Sequence, residues 1–273
     1  MGSATQLTQD HDWTHLRPRV AFATRAAVLD LAVRTAHPIP GHIIEFGVAR
    51  GTSTRVLRAS LTRCERGQIS GARKKIFACD SFKGLPEKFE TLTVGSLACN
   101  PPRIRGVEIV VGYFADSLTP ELAHRVGSVS LASFDADLYS STLCALRWVT
   151  PLLHTGSLLL FDEFLGERES EKRAFEEWST ISGVRTIQIA EFLRSPSGGS
   201  SASPDKRILV QVIETDERRP RQIVSVQTLL QAMRRRVAVR ARLRRLLGNG
   251  PQRNERSMHG LGTRKSERPI DLR

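Results

Sequence analysis

Residues 43–52 read IIEFGVARGT. An apolar run carrying one acid stops at Gly47, turns through Gly51 and opens at Thr52 into a segment, 52–62, with helix character. Strand, glycine turn, helix is the reading, because glycine alone turns this tightly without a Cβ and lets backbone approach a ligand closely. Working outward, apolar residues Val20, Ala23, Ala27, Leu29, Leu31 and Ala32 recur at helical spacing until His37 and Pro38, which predicts a helix over 20–36. Downstream, short apolar runs recur at 75–80 (KIFACD), 107–112 (VEIVVG), 129–135 (VSLASFD) and 157–162 (SLLLFD), each predicting a strand. Residues 140–153 between the last two suit a helix capped by Ser140 or Ser141. Strands alternating with helical stretches predict a parallel sheet covered on both faces. Segments 186–193 and 207–213, separated by a Ser, Gly and Pro stretch with no helix signal, predict an antiparallel hairpin closing it. The expected fold is therefore α/β, Rossmann-like, with a mostly parallel seven-stranded sheet and a C-terminal antiparallel hairpin.

Composition narrows the class. The chain has 273 residues, 40% hydrophobic and 25% charged, which suits a globular protein and excludes collagen-like or wholly disordered chains. Its net charge of +13 is confined to one end: residues 218–273 hold 16 basic and 3 acidic residues, and the remainder is balanced. Three parts are expected: a polar segment over 1–19, a catalytic domain over 20–217, and a basic helix and disordered tail over 218–273. The four cysteines, Cys64, Cys79, Cys99 and Cys144, form no CxxC pair, which argues against zinc and for a reducing, cytoplasmic setting. No leader-like segment and no apolar run of membrane-spanning length is seen.

Several residues carry chemistry. Gly47 and Gly51 beside a helix N-terminus suit a ligand's close approach, although a plain turn and helix start explains them equally. Asp80 ends the second strand of the set, where a carboxylate can accept hydrogen bonds from both ribose hydroxyls of a nucleoside; capping of the following turn is the alternative. Asp135 and Asp137 end one strand and Asp162 and Glu163 another. Acids at matching carboxyl ends of neighbouring parallel strands converge on the crevice where open α/β sheets bind ligands. Unless some are protonated, such a cluster calls for a cation, and oxygen donors without His or Cys point to Mg²⁺; ordinary solvated loop acids are the alternative.

In order and spacing, IIEFGVARGTST, IFACDSFKGLPE, GYFADSL, SFDADLYSST and LLLFDEF resemble the macrocin O-methyltransferase family. The similarity spans roughly residues 20–214, and DSFKGLPE and DADLYSST are its specific parts. The resemblance implies S-adenosylmethionine (SAM) as donor, Mg²⁺ as cofactor, and a hydroxyl of a sugar or glycosylated natural product as acceptor. It implies a cofactor set of Glu45, Gly47, Gly51, Thr52, Asp80 and Ser81, with Asp135, Asp162 and Glu163 as metal ligands and Asp137 as general base. The family's Asp-Asp pair is Asp162-Glu163 here, and Ser133-Phe134 stands where His-Ile is usual. Phe114, with Tyr113 and Asp116, follows the third strand of the set, where adenine lies in this fold; stacking on the base and core packing are both open. Trp148 and His154 read as core and loop residues. Residues 167–178 (ERESEKRAFEEW) read as a solvated surface helix whose Phe175 or Trp178 could touch the acceptor.

The tail keeps a different class of function open. Ile223, Val226, Leu230, Met233 and Val237 form a helical stripe followed by an arginine cluster. Docking on the domain or on a second subunit of a homo-oligomer, an anionic membrane contact, and RNA binding or methylation all compete. A non-catalytic SAM binder is a further alternative.

Overall fold

The computed structural model describes residues 19–66, 73–164, 170–193 and 206–215. The basic tail, and with it the docking, membrane and RNA readings, lies outside them. The elements in chain order are β1 (Arg19–Phe22), α1 (Arg25–Ala36), β2 (His42–Phe46), α2 (Thr52–Arg66), β3 (Ile76–Asp80), β4 (Val107–Val111), α3 (Phe114–Ser117), α4 (Pro120–Val126), β5 (Val129–Phe134), α5 (Tyr139–Val149), β6 (Leu158–Phe161), α6 (Ser170–Ser182), β7 (Arg185–Leu193) and β8 (Lys206–Glu214). They build one sheet in the order β1-β7-β8-β6-β5-β2-β3-β4. The pairs from β6 through β4 are parallel, and β8 runs antiparallel to both β6 and β7. This is the Rossmann-like sheet, with its antiparallel hairpin, that the apolar runs predict.

An eighth strand is added at the edge. Residues 19–22 pair in parallel with β7, so the helix predicted from residue 20 begins only at Arg25. The physical start signal is Thr24, whose Oγ1 accepts a hydrogen bond from the Ala27 N–H at 3.3 Å. We expect Thr24→Ala to cost about 0.5–1 kcal/mol, the lower part of the N-cap range, because this bond is long and exposed. Urea denaturation checks it, and an unchanged midpoint would show that the cap contributes nothing. The predicted serine cap of α5 is also displaced: the helix starts at Tyr139, Leu138 gives no side-chain cap, and Ser140 donates to Glu87 at 2.6 Å.

Burial follows sheet position. Every residue of β5 is buried, as is all of β2 after His42, whereas no residue of the edge strand β4 is fully buried. Because parallel strands lie about 4.8 Å apart, in-register residues stack. Phe46 pairs with Phe134 and Phe134 with Phe161, and their ring centroids stand 5.2 and 4.8 Å apart with near-parallel planes. Phe175 of α6 closes this ladder edge-on against Phe161 at 5.3 Å. Trp178 is fully buried and donates from Nε1 to Thr150 Oγ1 at 2.7 Å; Trp148 does the same to the Thr119 carbonyl at 3.1 Å. Phe46, Phe134, Phe161, Trp148 and Trp178 are thereby committed to the core, with Phe175 partly buried against it. His154 bridges the Thr155 and Pro40 carbonyls, a loop fastening.

Candidate active site

Register builds the site. With Phe46, Phe134 and Phe161 abreast, the next residues out are Gly47, Asp135 and Asp162, which leave the sheet side by side. Backbone pairing carries on into them: Asp135 N–H donates to the Phe46 carbonyl at 2.8 Å and Asp162 N–H to that of Phe134 at 3.0 Å. The place is the switch point of the sheet, where chain connections diverge from β2 and β5 in opposite directions. Gly47 has φ +92°, and a Cβ there would lie 1.9 Å from the Asp135 carbonyl oxygen. Two strand ends approach each other through the missing side chain.

Asp80 holds the glycine turn. Its Oδ2 accepts from the N–H groups of Val48 and Ala49, both at 2.8 Å, and Oδ1 accepts from Phe82 N–H at 2.7 Å. Three of about four carboxylate lone-pair sites are then in use. Chelation of two ribose hydroxyls, expected from the sequence, would require the loop amides to let go; one acceptor site remains as the residues stand. Ser81 is likewise engaged in the following turn, accepting from Lys83 N–H and donating to the Gly84 carbonyl, each at 3.1 Å. Phe114 packs edge-on against Phe46 at 5.6 Å, which is the core-packing alternative.

A cavity of about 380 Å³ opens against the turn. That is within the range of small-molecule sites, roughly 300–1,000 Å³. Val48, Ala49 and Thr52 line it together with Arg25, Asp135, Leu97 and Cys99. The last two belong to residues 81–106, an irregular excursion between β3 and β4 in place of a crossover helix, folded on itself by Leu85 N–H to Ser96 and Gly95 N–H to Leu85. Glu45, at the root of the turn, is fully buried; Thr54 Oγ1 donates to its Oε2, and Oε1 has no partner. Burial pushes the Glu45 carboxyl up to about 7. The turn, with Val48, Ala49, Thr52 and Ser53 on the cavity wall, fits a nucleoside-linked cofactor.

The acids do converge, but around arginine. Arg25, first residue of α1, donates from Nη2 to Asp135 Oδ2, and its Nε lies 3.2 Å from Asp162 Oδ1. Arg207, at the start of β8 and only 5% exposed, meets both oxygens of Asp162, Nε to Oδ1 at 2.6 Å and Nη2 to Oδ2 at 3.4 Å. Burial opposes the Arg25 charge, but Asp135, Asp162 and Glu45 outweigh it and raise its pKa above the ordinary value. Burial and the neighbouring Asp162 charge hold the Asp135 carboxyl well above the usual range. Asp137, two residues on, takes a left-handed backbone with φ +57°, a conformation that Asp tolerates better than most side chains. Burial first, then Asp162, pushes its carboxyl up to about 6.

This arrangement does not fit the divalent ion expected at Asp135, Asp162 and Glu163. Among the described residues no three His, Cys, Asp or Glu side chains gather as a metal site. Asp135 and Asp162 face a guanidinium instead. Arg25 and Arg207 already occupy oxygens of both acids, so an ion would have to displace a guanidinium that cannot lose its proton.

Three participants escape a reading of the sequence for acids and glycines. Arg25 leaves one trace: a cation in the first turn of a helix opposes the macrodipole and so implies a compensating anion nearby. Arg207 is the second residue of β8, between Lys206 and the apolar run 208–210. Glu171 is 1% exposed in the helix expected to be solvated. Its Oε2 accepts from Glu163 N–H at 3.0 Å, its Oε1 has no partner, and burial with the charges of Asp135, Asp162 and Asp137 drives its pKa well up. The spacing Glu171, Ala174, Phe175, Trp178 places it on the buried stripe, a signal that was available.

Fold and strand-end crevice together define the class I methyltransferase architecture. Consistent with it, residues 44–164 match the family model described as a methyltransferase domain. Over 177 residues the chain is 29% identical to the 8-demethyl-8-(2,3-dimethoxy-alpha-L-rhamnosyl)-tetracenomycin-C 4'-O-methyltransferase of Streptomyces olivaceus, a match covering 56% of this chain and 65% of that relative. The chain thus spans just under two thirds of the curated relative it matches. Among solved structures, the O-methyltransferase NovP superposes with a TM-score of 0.52 at 19% identity, covering 70% of this chain and 80% of that one. The calicheamicin methyltransferase CalS11 superposes with a TM-score of 0.51 at 21% identity, covering 68% and 77%. These likenesses establish the fold.

Proposed function

We propose that the chain is a SAM-dependent O-methyltransferase whose acceptor is a hydroxyl of a sugar, free or within a glycosylated natural product. The observation that carries the reading is the meeting, at one switch point, of a glycine turn and a cavity suited to a nucleoside-linked cofactor with the strand-end acid Asp135 on the cavity wall, Asp137 following two residues on. The rhamnosyl acceptor in the relative's name favours a deoxysugar hydroxyl. SAM, when bound, supplies a methyl group already activated on a sulfonium. What remains for the protein is to align a weakly acidic hydroxyl and remove its proton. In this reading the 47–52 turn and Glu45 bind the donor, Asp80 keeps the turn in shape, and Asp137 takes the proton. Magnesium assistance is not carried into the proposal, since the residues do not fit the ion.

Transfer of labelled methyl from SAM to a panel of rhamnosides and other glycosides, with the modified oxygen located by NMR, tests the proposal. We expect a sugar O-methyl product. SAM binding without transfer to any hydroxylated acceptor would replace it with a non-catalytic binder.

A further inference from the structure

We propose that Arg25 is a built-in counter-ion that closes the Asp135–Asp162 pair to divalent cations, so that this site keeps its strand-end acids together without metal. The inference concerns the site assigned above to methyl transfer and rests on that assignment for its meaning. Its test reads ion binding alone, so either can fail without the other.

Three observations converge. Arg25 touches both carboxylates at once, bonding Asp135 and standing 3.2 Å from Asp162. It does so from a helix N-terminus, where a cation is disfavoured unless an anion holds it. Asp162 is bound on its other side as well: Arg207 spans both its oxygens, and turning Asp162 toward a metal would leave a buried guanidinium unpaired, which is strongly unfavourable. Two strand-end acids and two guanidiniums are thus joined in one cluster. The third expected ligand, Glu163, has its backbone N–H bonded to Glu171 Oε2 at 3.0 Å.

Mn²⁺ titration of the full chain followed by EPR, at fixed ionic strength, decides the matter. Wild type is expected to show no saturable site that depends on Asp135, and its melting temperature should be the same in EDTA and in Mg²⁺. Arg25→Gln frees the carboxylate pair and should bind Mn²⁺ at least about tenfold more tightly than wild type, a gain lost again when Asp135→Asn is added. Arg25→Lys keeps the charge and should remain closed to the ion. One Mn²⁺ per wild-type chain, abolished by Asp135→Asn, would overturn the inference, as would a folded Arg25→Gln no tighter than wild type. Should Arg25→Gln fail to fold, comparison of wild type with Asp135→Asn still decides.

Discussion

Asp137→Asn is expected to lower turnover by about 10²–10⁴-fold, the ordinary worth of a general base, while SAM affinity stays within a few-fold of wild type. The exchange preserves shape and removes only the ability to take a proton. Stability should move the other way. The folded carboxyl titrates at about 6, against 3.8 for the ordinary group. A raised carboxyl favours folding while protonated, and that advantage is lost as pH climbs toward 6; above it the buried charge costs at most about 3 kcal/mol. Asn is never charged, so the variant should be as stable as wild type or more so at pH 7 to 8, where it is least active. In wild type, turnover should rise with pH through about 6 as Asp137 ionises, and the variant should lack that limb. Steady-state kinetics and urea melts on the same preparations check both halves. A variant with near wild-type turnover would remove Asp137 from the mechanism.

The second large effect is Gly47→Ala. The added Cβ would stand 1.9 Å from the Asp135 carbonyl oxygen and 2.6 Å from its carbon, both backbone atoms that no rotamer change can move. Relief requires the β2 and β5 ends to part by more than about 1 Å, a displacement that costs on the order of 10²-fold in rate when it disturbs reacting groups. Overpacking adds about 1–3 kcal/mol of lost stability. We therefore expect weakened SAM binding and turnover down about 10²-fold together. Gly127→Ala is the control. Gly127 also has positive φ, +69°, but nothing lies within 4 Å of its would-be Cβ. It should cost about 1–3 kcal/mol through backbone strain, since φ +69° with ψ −85° is a sparsely populated region for a residue with a Cβ, and leave turnover alone. Equal losses in both variants would mean that conformation, and not the close approach at Gly47, sets the effect.

The strands were legible because each is a short apolar run closed by a glycine or an acid, such as Gly47, Asp80 or Asp162. Buried parallel strands have no polar alternation to confuse the pattern. The hairpin was legible for a complementary reason, the lack of any helix signal between β7 and β8. The edge strand was not, since the apolar spacing of residues 20–32 allows a strand lead-in as readily as an earlier helix, and only the Thr24 cap separates the two. In the site, the acids were visible by position, but their partners were not. Arg25 and Arg207 lie far from Asp135 and Asp162 in the chain and meet them only when α1 and β8 dock. Charge arithmetic over the acids alone therefore asked for a metal where the fold brings two arginines. Asp80 was placed at the right strand end, and its bonds to Val48 and Ala49 depend on loop closure that residue type does not encode.

The most direct measurement is a crystal structure of the S-adenosylhomocysteine complex. The account predicts the cofactor in the cavity beside residues 47–52, with its sulfur open toward the Asp137 carboxylate and an acceptor-sized space between them. A cofactor bound elsewhere, or a sulfur facing away with Asp137 beyond reach of any hydroxyl next to it, would contradict the account.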